Sequence, residues 1–259
     1  MAEREQRLVF GEVAAAYDDV RAGYGAELAT AVLDYAGDLR DVVEVGAGTG
    51  KATAALAGRG RRITCLEPDP NMAAVLRSRF VDRPDVRVVT STFEDWTPPP
   101  GGVGLLYAAQ SWHWVDPRVR WRKAYDALAP GGALALFGHA YAFADPTLQA
   151  EIERAYAAHA PELLNPSNVR LASADDHWLY RELVADGRFV DGSARFTQTV
   201  VAYPRARYRL LLQTFSPHRM LPPARRAALL DAVDAVVDRR GGVVDVDLQT
   251  TLVLGRRPR

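Results

Sequence analysis

The chain of 259 residues has one cysteine, Cys65, so no disulfide can close within it, and no C-x-x-C pair suggests a bound metal. It contains no run of about 18 apolar residues, the length that a membrane-spanning helix requires. Its first residues, MAEREQRLVF, are charged and have none of the apolar core of a secretory signal. Lysine is scarce: Lys51 and Lys123 stand alone, and arginine supplies the rest of the 32 basic residues, which 32 acidic residues balance to a formal net charge of zero. The arginines are scattered among acids, with no basic run interleaved with aromatics, which argues against a nucleic-acid partner. No histidine pair has metal-ligand spacing, and no G-x-S-x-G elbow occurs. These absences lead us to expect a soluble cytoplasmic protein with no metal and no membrane partner, with monomer and homodimer both left open. A hydrophobic content of 48% at this length supports one full core.

What is present is concentrated between Asp41 and Asp69, DVVEVGAGTGKATAALAGRGRRITCLEPD. Val42, Val43 and Val45 form a β-branched run suited to a buried parallel strand. Gly46, Gly48 and Gly50 follow, letting the backbone turn sharply and approach a ligand with no Cβ in the way. Ala52, Ala54, Ala55, Leu56 and Ala57 suit a small-residue helix packed on a sheet. Ile63, Cys65 and Leu66 make the next strand, ending at Glu67. In such a βαβ unit, ligands bind beyond the carboxyl ends of the strands, and an acid about 20 residues past the first glycine accepts hydrogen bonds from ribose hydroxyls. The pattern predicts a bound nucleoside.

The glycines do not fit the dinucleotide fingerprint, because Lys51 stands where its third glycine belongs. The E-x-G-x-G-x-G run from Glu44 to Gly50 instead resembles motif I of the class I S-adenosylmethionine (SAM)-dependent methyltransferases, and Glu67 resembles their acid at the end of the second strand. The resemblance implies an α/β, Rossmann-like fold: seven mostly parallel strands, the last antiparallel, with helices on both faces and a helical cap insertion. It implies SAM as cofactor, with S-adenosylhomocysteine as product. It assigns the cofactor to Glu44, Gly46, Ala47, Gly48, Gly50, Glu67 and Pro68. The N-terminal segment YDDVRAGYG is similar to a Y-D-x-x-R-x-x-Y motif of these enzymes, in which Tyr17 and Arg21 close over the methionyl tail. Arginine can hold a carboxylate there with a fork of N–H donors.

Further on, Val86, Val88 and Val89 form a third strand before STFEDW, where the family covers the adenine; Thr92 and Phe93 occupy the matching positions. Many members carry Asp where Thr92 stands. Val103 to Ala109 reads as a fourth strand leading into QSWHWVD, Ala127 to Gly132 as a helix end and turn, and Ala133 to Phe137 as a fifth strand. The runs AAQSWHWVDP and LAPGGALALF are similar to a bacterial subgroup of small-molecule methyltransferases, type 11, related to the trans-aconitate type. Gln110 lies where the family places residues beside the transferred methyl. His113 is the nearby imidazole with a pKa suited to general-base work. It can take the substrate proton, orient the substrate, or pack structurally. Trp112 and Trp114 can wall a pocket or fill a core, and His139, after strand five, can face the substrate.

The whole chain reads as one domain: 1–35 as N-terminal lid helices, 36–140 as the SAM-binding core, 145–190 as the helical cap, and 191–259 as the strands and helices completing the sheet. A helix is expected from Asp145-Pro146 to about Ala158, a strand from Phe196 to Ala202, and a loop at SPHRM, Ser216 to Met220. Methyl transfer to a small organic molecule, at O, N or C, in bacterial secondary metabolism or on a small carboxylic acid, is the leading expectation. Two others stay open: a SAM-binding protein with a cyclase-like or structural role, and an NAD-dependent dehydrogenase.

Overall fold

The computed structural model describes residues 18–38, 40–164 and 173–259. Two compact units are distinguished, one built from 22–139, 173–196 and 250–259, the other from 18–21, 140–164 and 197–249. A seven-stranded sheet has the order β3-β2-β1-β4-β5-β7-β6, its last strand antiparallel to the rest. The strands are β1 (Asp41–Val45), β2 (Arg62–Leu66), β3 (Val86–Val89), β4 (Val103–Ala109), β5 (Leu128–Phe143), β6 (Val190–Pro204) and β7 (Val243–Arg256).

In the larger unit β1 pairs in parallel with β2 on one side and β4 on the other. The chain moves outward to β3 and then returns to the far side of β1, so the order reverses between β1 and β4. Ligands of open α/β sheets bind at such a switch point, beyond the carboxyl ends of the strands. Alternation along β1 explains the two-sided burial. Val42 belongs to one core, with Ile63, Cys65, Leu105 and the helices α1 (Ala26–Ala36) and α2 (Lys51–Leu56). Val43 and Val45 belong to the other, with Leu66, Leu106 and the helices α4 (Arg120–Ala127) and α6 (Trp178–Asp186). Between α2 and α4 in the chain lies α3 (Pro70–Arg79), whose N-cap Asp69 accepts from the amides of Asn71 and Met72. Pro70 suits the first turn, where no amide is needed.

The smaller unit holds α5 (Pro146–His159), α7 (Arg205–Gln213), α8 (Ser216–Met220) and α9 (Pro223–Arg239). Leu148 and Ile152 of α5 pack there with Tyr208, Leu211, Leu229, Leu230 and Val233. The expected helix after Asp145 is present, with Asp145 capping the Thr147 amide. Residues 145–190, expected as one cap, are divided: 145–164 belong to this unit and 173–190 to the larger one.

Three local expectations change. Strand β5 begins at Leu128, inside the stretch read as a helix end and turn. Its pairing jumps from Val103↔Leu128 to Leu105↔Ala133, so residues 129–132 bulge out of the ladder while the strand continues. A Cβ on Gly132 would lie 2.8 Å from the Ala129 carbonyl oxygen, which explains the glycine. Strand β6 starts at Val190 instead of Phe196. SPHRM is a one-turn helix, with Pro217 in its first turn and Ser216 and His218 buried. Among the described residues no helix is long and apolar enough to cross a membrane, and no group of His, Cys, Asp and Glu is placed to hold a metal ion.

Candidate active site

The loop after β1 is shaped by three glycines at positive φ, each for its own reason. Gly46 (φ 66°) lies against the loop after β4: a Cβ there would stand 2.5 Å from the Ser111 Cβ. The Ser111 hydroxyl also donates to the Val45 carbonyl, pinning the two loops together at the switch point. Gly50 (φ 87°) caps α2 and is crowded from behind, since a Cβ would meet Leu76 at 2.5 Å and Phe80 at 2.6 Å. Gly48 (φ 57°) differs, because a Cβ there would meet nothing within 4 Å. Its conformation demands glycine while the space beside it is open.

The amide of Gly48 donates to Oε2 of Glu67 at 2.7 Å, and the Asp69 amide donates to Oε1 at 2.9 Å. The carboxyl at the end of β2 thus faces the loop at the end of β1, with Ala47 tied to β2 by its amide on the Leu66 carbonyl at 3.0 Å. Burial raises Glu67 to about 7, against the lowering effect of the two amide bonds. Half-buried Pro68 separates Glu67 from the α3 cap.

Glu44, expected at the cofactor, points into the core behind the loop. Register places it between Cys65 and Tyr107 on the neighbouring strands. Its Oε2 accepts from the hydroxyls of Thr53 at 2.5 Å and Tyr107 at 2.7 Å. Burial raises its pKa to about 7, partly offset by these bonds. Its role here is to brace β1 against α2 and β4 from inside.

Beyond β3, Phe93 is buried, with its ring 6.2 Å from that of Trp96 and 5.9 Å from that of Trp112. The Thr92 hydroxyl donates to Asp95 at 2.7 Å and accepts from the Asp95 amide at 3.1 Å, closing a turn on itself. Where the family often has a carboxylate at Thr92, this chain brings one to the same turn from Asp95.

Gln110 directly follows β4 at φ 54°, unusual for a residue with a side chain. Such a backbone costs of order 1–3 kcal/mol and persists where surroundings hold it. Its amide donates to the Phe137 carbonyl at 2.9 Å and its Nε2 to the His139 carbonyl at 2.6 Å. A Cβ on Gly138 would lie 2.6 Å from the Gln110 Cγ, so Gly138 makes room for that side chain.

His139 is buried, and both ring nitrogens are engaged. Nε2 lies 3.1 Å from the Gly23 carbonyl, which can only accept, and Nδ1 lies 2.8 Å from the Thr250 hydroxyl. The ring stacks on Tyr24 at 4.5 Å. This is a braced histidine that holds a strand end in place. His113 is exposed on the short 3-10 turn Trp112–Trp114, its ring 4.7 Å from that of Trp114. Partial desolvation, then the positive charge of Arg120, lower its pKa. A neutral imidazole at the carboxyl end of β4 is able to accept a proton. Trp112 is core: it packs on Phe93 and Trp121, its indole nitrogen covered and unbonded among the described residues.

In the smaller unit, the Nε of Arg21 donates to the Thr214 hydroxyl at 2.8 Å and its Nη2 to the Thr214 carbonyl at 3.2 Å; its guanidinium lies 4.0 Å from the Phe215 ring centroid. Tyr17 lies outside the described residues. The structure therefore brings together Gly46, Ala47, Gly48, Gly50, Glu67, Gln110 and the turn bearing His113. Sequence reasoning missed Ser111, Gly138 and Tyr24. Tyr24 was within reach, as the last residue of the Y-D-x-x-R-x-x-Y pattern.

Comparison with known proteins agrees with this geometry. Residues 43–136 match the model of a methyltransferase domain. An uncharacterized methyltransferase of Mycobacterium tuberculosis is 35% identical over 135 residues, covering 52% of this chain and 54% of that one. The chain thus spans about half the length of that relative. The trans-aconitate 2-methyltransferase of Delftia acidovorans is 35% identical over 102 residues, 38% of this chain and 37% of that one. Among solved structures, a protein of Anaeromyxobacter dehalogenans assigned as a type II methyltransferase aligns with TM-score 0.68 at 22% identity, covering 92% of this chain and 99% of that one, a likeness of fold. The glycine loop and the facing acid lie within residues 43–136, the segment that matches the methyltransferase-domain model, and the strand order around them agrees with the likeness of fold.

Proposed function

We propose that this protein transfers a methyl group from SAM to a small organic acceptor. The observation that carries the reading is the open space beside Gly48, bordered by a buried carboxyl that its own amide already orients. SAM, when bound, would supply an electrophilic methyl on a sulfonium. The residues present suit it. Glu67 has lone pairs left for ribose hydroxyls, Gly46 to Gly50 offer backbone without side chains, and the Pro68 and Thr92–Phe93 segments border the end where a base would lie. Glu44 and His139 act from behind, as braces.

The chain's own work is positioning and proton handling. Holding reactants in line can supply up to about 7–11 kcal/mol of a barrier in favourable cases. Gln110, fixed at the switch point by Phe137 and His139, sets one wall at the end of β4. His113, neutral at physiological pH, takes the proton of an acceptor hydroxyl or amine as the methyl arrives. The trans-aconitate enzyme among the relatives favours a small polar acceptor. The test is to incubate the protein with SAM and fractionated metabolite extracts and measure S-adenosylhomocysteine. Stoichiometric product with a methylated small molecule is expected. SAM that binds but is never consumed across acceptor classes would contradict the transfer.

A further inference from the structure

Glu182 lies on α6, well outside the matched methyltransferase segment, yet its carboxylate reaches two consecutive residues of α4. Its Oε2 accepts from the Trp121 indole N–H at 2.8 Å and pairs with Nη2 of Arg120. The Arg120 side chain is only 7% exposed, its guanidinium 5.2 Å from the Trp178 ring centroid, also on α6. Trp121 in turn packs edge-on against Trp112 at 5.5 Å, and Trp112 opens the turn that carries His113. One carboxylate thus stands at the end of a chain of contacts leading to the proposed proton acceptor.

We propose that Glu182 is a positioning residue for His113, fixing the Trp112–Trp114 turn through Trp121 and setting the field at the imidazole through Arg120. It rests on the reading of His113 given above. Glu182 does two separable things. As an acceptor it orients the indole, and as an anion it offsets the buried guanidinium whose charge reaches His113. The other charges of this region are tied elsewhere: Asp116 by Arg118, Glu94 by the Asp116 amide, and Lys123 by the Glu94 carbonyl. Arg120 is therefore the cation acting on His113, and Glu182 is its partner.

Glu182→Gln keeps an acceptor for the indole and removes the charge, whereas Glu182→Asp keeps the charge. The measurement is the NMR titration of the His113 Cε1–H signal, assigned by its disappearance in His113→Asn, with a thermal melt of each variant as the folding control. With Arg120 no longer offset, the His113 pKa falls further in Glu182→Gln, by about half a unit or more, and returns toward wild type in Glu182→Asp. An unchanged His113 titration in folded Glu182→Gln would overturn the proposal. Should Glu182→Gln not fold, Glu182→Ala takes its place: a lowered His113 pKa in the folded variant supports the proposal, and an unchanged one contradicts it. Full turnover in His113→Ala would remove the proton-transfer reading of His113 while leaving the titration result standing, so the two failures are distinguishable.

Discussion

The amide of Gly48 and the carboxylate of Glu67 meet at 2.7 Å, joining the turn after the first strand to the acid at the end of the second. This bond aims the carboxyl at the one glycine of the loop whose missing side chain leaves open space. The acid and the gap form one feature, and its consequences can be measured.

Alanine at Gly48 and at Gly50 should have different effects. At Gly48 the substitution costs only backbone strain, about 1–2 kcal/mol, and places a methyl where a ligand would lie, so SAM binding falls well beyond the loss in melting temperature. At Gly50 the methyl collides with Leu76 and Phe80, so stability suffers first. Melting curves and calorimetric titration of both variants check this. Equal stability losses, or intact binding in Gly48→Ala, contradict it.

Cofactor binding should depend on pH around neutrality. Burial holds Glu67 at about 7, and hydroxyls donate to its charged form. Binding therefore releases a proton, strengthens as pH rises, and weakens by up to about tenfold for each unit below 7. Calorimetry in buffers of different ionisation enthalpy counts that proton, and Glu67→Gln abolishes the count.

Glu44 makes the opposite kind of statement, about folding. Its carboxyl binds a proton more tightly folded, at about 7, than at its ordinary 4.5. The sign is that of a raised group: the contribution is complete below 4.5 and is lost as pH climbs through 7. Up to about 3 kcal/mol is at stake for one fully buried group. The wild type should melt higher at pH 5 than at pH 8, and Glu44→Gln should narrow that gap. An unaltered gap in the variant would place the effect elsewhere.

His113→Ala should keep SAM affinity and lose about 10²–10⁴ in turnover, the usual range for a removed general base. Undiminished turnover would return the WHW turn to a packing role.

How much of this was legible beforehand differs by residue. The glycine turn, the β-branched strands and Glu67 were readable because backbone conformation and burial restrict those positions to few residue types. The surroundings of Glu44 were not readable, because a carboxylate beside a glycine loop looks the same in sequence whether it faces a ligand or the core. The difference lies in Thr53 and Tyr107, brought to it by strand register and by the α2 helix. Ser111 and Gly138 were invisible for a related reason: each acts on a loop or strand distant in the chain. His139 was judged by its place at a strand end, and only the contacts to Gly23, Tyr24 and Thr250 reveal a brace. The bulge at 129–132 escaped because Pro-Gly-Gly signals a turn, and nothing local says that the strand starts before it.

The central claim is tested most directly by titrating the purified protein with SAM and, separately, with NAD, in wild type and in Glu67→Ala. Saturable one-to-one binding of SAM, none of NAD, and loss of at least about tenfold in the variant are the results predicted here. Binding of NAD without SAM, or SAM affinity indifferent to Glu67, would contradict it.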